Sequence, residues 1–278
     1  MRRERRQPPV ALTVAGSDSG GGAGIQADLH TFAAHGVHGT SAVTALTAQN
    51  TRGVAAARTA GADLVRSQLE AVLADFDVAA VKTGMLGDEA ILGVVAEYGG
   101  AERLPSLVVD PVMITTSGDP LFSGGAESYL GRLGPLATVL TPNLPEAGRL
   151  LGREIRGLDD MREAARALAA YGPRAVMVKG GHATEKRGAG EVVTDVLWCE
   201  GRMRDLAAPK VETRNTHGTG CTLAAAIAAR LALGDPIARA VAGAKTYVTE
   251  ALVAASGWRL GAGPGPVHHH HGRESATL

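Results

Sequence analysis

The sequence predicts an α/β fold, a three-layer α/β/α sandwich with a mainly parallel central sheet. Short segments that are apolar at consecutive positions alternate along the chain with longer helical segments. A continuously apolar strand is typical of a sheet covered by helices on both faces, and alternation of strand and helix favours parallel pairing. Polar and glycine residues follow the apolar segments, at the strand ends where such sheets form ligand crevices.

Ten segments carry this prediction. The strands are predicted at residues 10–15, 78–81, 107–109, 137–140 and 175–178. The helices are predicted at residues 24–35, 63–75, 88–98, 159–171 and 219–233. The chain has no Pro- or Ser-rich linker and no internal repeat. We therefore expect a disordered basic tail at 1–9, one domain at 10–267 and a C-terminal tail at 268–278.

Composition narrows the class of protein. The 278 residues include 45% hydrophobic but only 3% aromatic residues, so the core must consist mainly of Ala, Val and Leu. The 28 basic and 28 acidic residues balance, which indicates neither nucleic acid nor a membrane surface as partner. The longest apolar stretch, 221–233, contains Arg230 and is shorter than the ~20 residues of a membrane span. With only two cysteines, we expect free thiols and a cytoplasmic protein that acts on a small molecule.

The most informative motif is N-T-H-G-T-G-C-T at residues 215–222, directly before an apolar helix. Gly218 and Gly220 allow the backbone to turn several N–H groups toward one point, and the helix N-terminus adds partial positive charge. This combination suits a phosphate group during transfer. The alternative is a loop whose glycines only permit a turn before the helix.

Two other nucleotide motifs are absent or weak. No Gly-x-x-x-x-Gly-Lys-[Ser/Thr] segment occurs, which argues against a P-loop NTPase. Residues 22–27 match the dinucleotide pattern Gly-x-Gly-x-x-Ala, but residues 44–50 (T-A-L-T-A-Q-N) lack the acidic residue expected about 20 positions later. NAD binding is therefore disfavoured.

Many spaced motifs together resemble the hydroxymethylpyrimidine/phosphomethylpyrimidine kinase family. The resemblance runs from about residue 10 to residue 269, in the family's order. It rests on residues 15–28, 45–51, 82–86, 109–113, 141–147, 179–182, 215–221 and 265–269. It implies a ribokinase-like fold, a homodimer, and use of ATP and Mg²⁺. It also implies that a hydroxymethylpyrimidine is phosphorylated twice, to the diphosphate used in thiamin biosynthesis.

The resemblance also assigns substrate-binding residues. An amide beside an aminopyrimidine can donate and accept hydrogen bonds, and a carboxylate can accept from the amine. The residues implied are Gly16, Asp28, Gln49, Met85 and Val112. For Met85 and Val112 the alternative is ordinary core, and for Gln49 it is a solvated or strand-capping amide.

The resemblance further implies ATP-binding residues, Asn143, Lys179, Thr216 and Lys245, and an acidic pair for magnesium, Asp110 and Glu146. Hard Mg²⁺ prefers carboxylate and water oxygens, and a lysine is a point charge suited to phosphate oxygens. As single acids, Asp110 and Glu146 would more often be helix caps or surface residues.

Catalysis is assigned to Gly218, Thr219, Gly220 and Cys221. We expect the first three to hold the transferring phosphate. The Cys221 thiolate, with its pKa lowered by the helix N-terminus, would take the proton of the substrate hydroxyl. The alternative is a small buried residue that lets the helix begin. Residues 113–122 resemble the family's flap over the active site, with an inert loop as the alternative.

Two further functions compete with this interpretation. Pyridoxal kinase shares the fold and chemistry, but some of its thiol-type members use a second cysteine in the flap, and residues 113–122 contain none. A non-catalytic binding protein on the same scaffold would be expected to lack the glycine motif or the acidic pair. The histidines at 268–271 are interpreted as native residues and not as zinc ligands.

Overall fold

A computed structural model describes residues 7–114, 121–181, 184–187 and 190–273. Most of the predicted N-terminal tail lies outside the described residues, as do the last five residues of the chain. The centre of the predicted flap, at 115–120, also lies outside them.

The α/β fold predicted from the sequence is confirmed. The strands are β1 (Val10–Ala15), β2 (His38–Val43), β3 (Ala45–Asn50), β4 (Gly53–Thr59), β5 (Val78–Thr83), β6 (Val108–Val109), β7 (Val139–Leu140), β8 (Ala175–Val178), β9 (Thr184–Arg187), β10 (Gly190–Cys199) and β11 (Arg202–Pro209). The helices are α1 (Gly24–Ala34), α2 (Ala62–Asp75), α3 (Glu89–Gly100), α4 (Ala126–Leu133), α5 (Leu144–Leu151), α6 (Gly157–Ala169), α7 (Thr219–Ala232) and α8 (Ile237–Ala255).

The central sheet has the order β11-β10-β8-β7-β6-β5-β1-β2, with β9 paired to β10. Neighbouring strands from β8 to β2 are parallel, whereas β10 pairs antiparallel with β8, β9 and β11. The five strands predicted from apolar segments are β1, β5, β6, β7 and β8, the parallel centre of the sheet. Strands β3 and β4 form a separate antiparallel hairpin.

Two apolar cores hold helices on the two faces of the sheet. One core joins the sheet to α2–α6, and the other joins it to α1, α7 and α8. On the second face, α7 contributes a buried run that consists largely of alanine. Such small side chains allow α7 to approach the strands closely, which brings its N-terminus to their carboxyl ends.

The sheet changes direction between β1 and β5. From β1 the chain proceeds to β2 on one side, and later to β5, β6, β7 and β8 on the other. At such a switch point the connections leave toward opposite faces, and a crevice opens at the carboxyl ends of the two strands. The fold therefore predicts a ligand site beside the ends of β1 and β5.

The first residues of the predicted C-terminal tail pack against the helices. His269 is buried, its ring lies 3.1 Å from the hydroxyl of Thr222 on α7, and its carbonyl accepts a hydrogen bond from Tyr247 on α8. Burial, together with the neighbouring imidazoles, lowers the pKa of His269 to about 3. The segment is thus held to the fold through a neutral imidazole.

This buried imidazole predicts an acid-dependent loss of stability. The pKa of His269 in the unfolded chain is near 6.5, so its stabilising contribution is present above that pH and is lost as the pH falls toward 3. We expect a loss of up to about 1.4 kcal/mol between pH 6.5 and 5.5 from this group. Urea unfolding at both pH values should show a smaller loss in His269→Gln. His38→Asn, at an exposed histidine of β2, should lose as much free energy of unfolding as the wild type between the two pH values. Equal pH dependence in all three proteins would contradict the assignment of this loss to His269.

Within the described residues, no helix combines the length and the apolar content required to cross a bilayer.

Cys199 and Cys221 are both free, as expected from the sequence.

Candidate active site

The ends of β1 and β5 bring two of the predicted substrate residues together. The Gly16 N–H donates to the carbonyl of Met85 at 3.1 Å. A Cβ atom on Gly16 would lie only 3.2 Å from the Met85 sulfur, so any larger residue at position 16 would displace that side chain. Met85 itself is partly exposed. The two residues therefore form one wall at the switch point.

A cavity of about 230 Å³ opens beside Met85. Its lining is largely apolar and comes from β4, the residues after β5, and the end of the predicted flap. The lining residues are Ala57, Thr59, Met85, Gly87, Leu121, Phe122 and Ser123. A flat ring of modest size matches this lining better than a sugar, which would need more hydrogen-bonding groups.

Asp28 on α1 is fully buried and pairs with Lys82 on β5. The Lys82 ammonium donates to Asp28 Oδ2 at 2.8 Å, and the Thr13 hydroxyl donates to the same oxygen at 2.6 Å. Asp28 Oδ1 is buried and has no partner among the described residues. A buried carboxylate oxygen without a donor is costly, and it is therefore a candidate acceptor for a ligand amine.

Gln49 and Val112 lie on different segments of the site. On β3, the Gln49 N–H donates to the Ser19 hydroxyl at 2.7 Å, and the side chain is partly buried. Val112 is also partly buried, and its N–H donates to the carbonyl of Asp110 at 2.8 Å. Neither residue is absorbed into the core, so both keep surface that a ligand could contact.

The glycine loop, residues 215–221, packs directly against the loop after β1. Gly218 is the N-cap of α7 and has φ +79, in the left-handed region. A Cβ atom at this position would lie 1.8 Å from the carbonyl oxygen of Gly22. Gly218 is thus required by both its backbone conformation and its contact. Thr219 adds a hydrogen bond from its hydroxyl to the carbonyl of Thr216, which is exposed.

We expect Gly218→Ala to reduce kcat/KM about 100-fold, because a misplacement of about 1 Å can cost that much. Its Cβ atom must push the glycine loop away from Gly22. Gly152→Ala is the matched control, since Gly152 has φ +67 but nothing within 4 Å of a Cβ. It should lose about 1 kcal/mol of stability and keep its activity. Steady-state kinetics and thermal unfolding distinguish the two, and equal activity loss would contradict the contact argument.

The same two loops are joined by a hydrogen bond between side chains that the sequence did not predict. Asp18 Oδ2 lies 2.8 Å from His217 Nε2, and the carboxylate also accepts the N–H groups of Gly20, Gly22 and Ala23. Burial opposes ionisation of Asp18, but these hydrogen bonds outweigh it and lower its pKa. Asp18 therefore organises its own loop and fixes the glycine loop to it. The signal was present in the sequence as an aspartate followed by glycines.

The predicted acidic pair converges on the predicted lysine. Lys179 Nζ lies 2.8 Å from Asp110 Oδ1 and 3.8 Å from Glu146 Oε2. Burial would lower the pKa of Lys179, but the two carboxylates outweigh it and raise the pKa. Burial and repulsion from Asp110 raise the pKa of Glu146 to about 7 despite the attraction of Lys179. The cluster thus carries an excess of acidic groups in a poorly hydrated place.

Gly220, in the glycine loop, lies next to the cluster of Asp110, Glu146 and Lys179. A Cβ atom on Gly220 would lie 3.3 Å from Lys179 Nζ and 4.0 Å from Asp110 Oδ2. The first turn of α7 therefore lies close to an ammonium and a carboxylate, and a side chain at position 220 would approach both groups. The arrangement can hold a phosphate between two sources of positive charge.

The other predicted ATP residues have structural partners of their own. The Asn143 side chain caps α5 by accepting the Glu146 N–H at 2.9 Å. Lys245 Nζ pairs with Asp195 Oδ2 at 2.7 Å, while Asp195 Oδ1 accepts the Gly180 N–H at 2.7 Å. Asp195 was not predicted from the sequence. It ties α8 to the strand end that carries Lys179.

The expectation that the helix N-terminus lowers the pKa of Cys221 is wrong for the unliganded chain. Burial raises the pKa of the thiol to about 11, and the nearby carboxylates Asp28 and Asp110 act in the same direction. Lys82 and the Gly24 N–H oppose this increase but do not reverse it. Desolvation of a thiolate outweighs the partial charge at a helix end. Cys221 nevertheless remains partly exposed at the start of α7.

The chain is similar to known kinases in both sequence and structure. The family model described as phosphomethylpyrimidine kinase matches residues 18–268. The hydroxymethylpyrimidine/phosphomethylpyrimidine kinase of Rhizobium meliloti is 49% identical over 265 residues, 94% of this chain and 97% of that protein. Among solved structures, an ADP complex of Bacillus subtilis pyridoxal kinase superposes with TM-score 0.85, at 36% identity over 96% of this chain and 99% of that one. A phosphomethylpyrimidine kinase from Clostridium difficile has TM-score 0.76, at 40% identity over 88% and 99%.

Proposed function

The chain belongs to the phosphomethylpyrimidine kinase family, and from this premise we propose that it phosphorylates 4-amino-5-hydroxymethyl-2-methylpyrimidine and then its monophosphate. ATP is the donor, and the diphosphate serves thiamin biosynthesis. The observation that carries the proposal is the approach of Gly220 to Lys179 and Asp110 at the N-terminus of α7. That arrangement can bind a transferring phosphate beside the Cys221 thiol.

In the first transfer, the substrate hydroxymethyl oxygen attacks the γ-phosphorus of ATP. The bond from that phosphorus to the β,γ-bridging oxygen breaks, and ADP leaves with the bond's electrons. The Cys221 thiolate takes the hydroxyl proton as general base. The N–H groups of Gly218, Thr219 and Gly220 stabilise the charge on the transferred group, and Lys179 adds its ammonium.

The second transfer has different requirements. The attacking group is an oxygen of the substrate monophosphate, which is already ionised near neutral pH. It therefore needs no base, and the N–H groups of the glycine loop and Lys179 carry the catalytic contribution. The same donor phosphate position serves both steps, because only the acceptor changes.

The pyrimidine is proposed to bind at the switch point. Its amino group donates to Asp28 Oδ1, the buried oxygen that lacks a partner among the described residues. The Gln49 amide contacts the ring edge, while Gly16 and Met85 form one wall and Val112 the other. Of these five residues, Met85 lines the cavity described above, whose largely apolar lining suits an aromatic ring.

Magnesium would be held by Asp110 and Glu146. Two buried carboxylates are donors of the type that Mg²⁺ prefers. A cation bound there would lower the pKa of Glu146, which burial and Asp110 raise. Within the described part of the chain, no cluster of three or more such ligands forms, which suits an ion that keeps waters and binds substrate phosphates. When bound, the ion neutralises phosphate charge.

Four residues are proposed to contact the nucleotide: Asn143, Lys179, Thr216 and Lys245.

Product analysis tests the substrate assignment. The purified protein with ATP and Mg²⁺ should convert the hydroxymethylpyrimidine to a monophosphate and then a diphosphate, identified by mass. Pyridoxal is the comparison substrate, because pyridoxal kinase of Bacillus subtilis has the same fold. Conversion of pyridoxal without conversion of the pyrimidine would overturn the assignment.

A homodimer is proposed through the β3–β4 hairpin. Its strands lie outside the central sheet, and most residues of β4 are exposed. Leu46 on β3 is 65% exposed and pairs with Arg58 of β4, and Ala48 and Ala56 are exposed beside it. Leu46 and the two alanines give a small apolar surface that a second copy could cover. Two free thiols support a reducing, cytoplasmic location.

We expect Leu46→Glu to convert the dimer to a monomer, because the new charge would be buried between copies. Light scattering after size-exclusion chromatography measures the mass directly. Leu260→Glu is the control, at a leucine 50% exposed outside the hairpin, and it should leave the mass unchanged. A Leu46→Glu protein that remains dimeric would exclude this interface.

A further inference from the structure

Asn215, at the start of the glycine loop, is a fully buried side chain to which the proposed mechanism assigns no role. It has no exposed surface. Its Nδ2 donates to the carbonyl of Ala255 at 2.6 Å and to the carbonyl of Trp258 at 3.0 Å. Two carbonyls around one side-chain nitrogen fix the orientation of the amide, because its oxygen in that place would repel both. The glycine loop is thus tied by a buried amide to the end of α8.

The two acceptor carbonyls are held by contacts of their own. Ala255 is the last residue of α8, and the Trp258 N–H donates to its carbonyl at 2.9 Å, which closes the turn after the helix. The segment that includes this turn, residues 256–266, is attached again near its far end, where the Gly263 N–H donates to the Thr51 hydroxyl at 3.1 Å. The acceptors therefore keep their place without help from the glycine loop.

The segment 256–266 contacts the glycine loop at a second place. The His217 N–H donates to the carbonyl of Gly265 at 3.0 Å. A Cβ atom on Gly265 would lie 2.2 Å from Asn215 Oδ1, far inside the contact distance of a carbon and an oxygen. Only glycine at position 265 therefore lets the amide and this segment approach so closely. The residues on both sides of Thr216 are attached to the same segment.

A short path connects Asn215 to the residues proposed to hold the phosphate. The carbonyl of Thr216, the next residue, accepts the Thr219 hydroxyl at 3.0 Å. Between them, Gly218 lies against the carbonyl of Gly22, where a Cβ atom would not fit. The loop therefore has little freedom to absorb a displacement of Asn215 before the displacement reaches the start of α7.

We propose that Asn215 is a positioning residue of the active site, whose buried amide fastens the glycine loop to the end of α8 and so holds the start of α7 in place for the transferring phosphate. Because Asn215 is fully buried, it acts through the loop and does not touch the substrates. The inference rests on the proposed function in one respect, that the glycine loop holds the phosphate transferred in both steps. It deepens that function by naming the side chain that fixes the loop.

Asn215→Ala tests the inference in the full-length protein. It removes both donated hydrogen bonds, and we expect kcat to fall about 10- to 100-fold in both phosphorylations, since a misplacement of about 1 Å can cost about 100-fold. The KM for the pyrimidine should not change, because the ring is proposed to bind at the switch point and not at the glycine loop. A loss that appears only in KM would overturn the inference.

Thr40→Val is the control for the loss of a buried hydrogen bond as such. The Thr40 hydroxyl donates to the carbonyl of Ala11 at 3.2 Å, in the first halves of β2 and β1 and away from the carboxyl ends of the strands. Thermal unfolding shows how much stability each variant loses, and only Asn215→Ala should lose kcat. Equal loss of kcat in the two variants would indicate a general structural effect and overturn the inference.

Gly265→Ala perturbs the same contact from the other side. The added Cβ must displace the Asn215 amide, so kcat should fall as in Asn215→Ala, and this variant decides alone if Asn215→Ala does not fold. Gly257→Ala is the matched control in the same segment, with nothing within 4 Å of a Cβ, and should keep the wild-type kcat. In the double variant Asn215→Ala/Gly265→Ala the two losses should not add, because the side chain that the Cβ meets is gone. Full additivity would overturn the inference.

Hydrogen exchange separates this inference from the proposed function. Without any substrate, the amides of residues 216–220 should exchange faster in Asn215→Ala and Gly265→Ala than in the wild type, because the loop opens more easily. If the wild type phosphorylates neither acceptor, the proposed function fails, and exchange alone decides whether Asn215 anchors the loop. If the wild type is active but exchange or kcat is unchanged in the variants, the inference fails while the kinase assignment stands.

Discussion

We expect Cys221→Ala to slow the first phosphorylation by about 10²–10⁴-fold, the range of a general base, and to slow the second far less. The hydroxymethyl group must lose a proton to attack, whereas the monophosphate is already ionised. Rates measured separately with the alcohol and with its monophosphate give the comparison. The alanine also removes little volume at the partly exposed start of α7, so folding should be preserved.

Cys199→Ala is the matched control for this experiment. Cys199 ends β10 and is buried away from the glycine loop, so its loss should leave the ratio of the two rates unchanged. Equal slowing of both steps by Cys221→Ala would exclude the base role. It would instead indicate that the thiol only fills space at the start of α7.

We expect Lys179→Met to reduce both phosphorylations by about 10²–10³-fold in kcat, the cost of removing one donor that stabilises transition-state charge. Both steps transfer the same donor phosphate, so they should be affected alike, unlike the result expected for Cys221. The variant also leaves Asp110 and Glu146 without their shared cation. Its thermal stability should therefore fall, with partial recovery on addition of Mg²⁺.

Lys210→Met provides the control at another paired lysine. Lys210 contacts Glu191 and Glu212 at distances of 2.6 and 3.2 Å, but at the surface, where such pairs contribute little to stability. It should retain both activities. A Lys179→Met protein that lost only one of the two activities would contradict a common phosphate position.

The parallel centre of the sheet could be predicted from the sequence because its strands are buried on both faces. Continuous apolar residues mark β1, β5, β6, β7 and β8. The strands that were not predicted lack this signal. Strands β10 and β11 carry charged and polar residues on an antiparallel edge, and the β3–β4 hairpin is mostly exposed.

The sequence indicated the residues of the candidate site but not the pairs that they form. The glycine loop, the acidic pair and Lys179 were identified, and the structure brings them together. The pairs Asp18–His217 and Asp28–Lys82 join residues 199 and 54 positions apart, a relation that no local pattern encodes. Asp195 was missed for the same reason, since it acts through Gly180 on a neighbouring strand end.

The ionisation of Cys221 could not be predicted from the neighbouring sequence alone. A helix N-terminus is visible in the sequence, and by itself it favours a thiolate. Burial of the thiol is a property of the packed structure, and here it has the larger effect, which raises the pKa to about 11. Only the three-dimensional arrangement reveals that a lysine from β5 opposes this effect.

The close contact between Gly22 and Gly218 has a consequence for hydrolysis of ATP without phosphoryl transfer to the substrate. The loop after β1 and the glycine loop, which is proposed to hold the transferring phosphate, are joined by Asp18 and His217 before any ligand binds. The entropy cost of aligning them is met once, on folding, and not in every reaction cycle. A fixed contact between the two loops can also help to exclude water, which would otherwise accept the phosphoryl group in place of the alcohol. Loosening it should raise futile hydrolysis of ATP even where productive transfer survives.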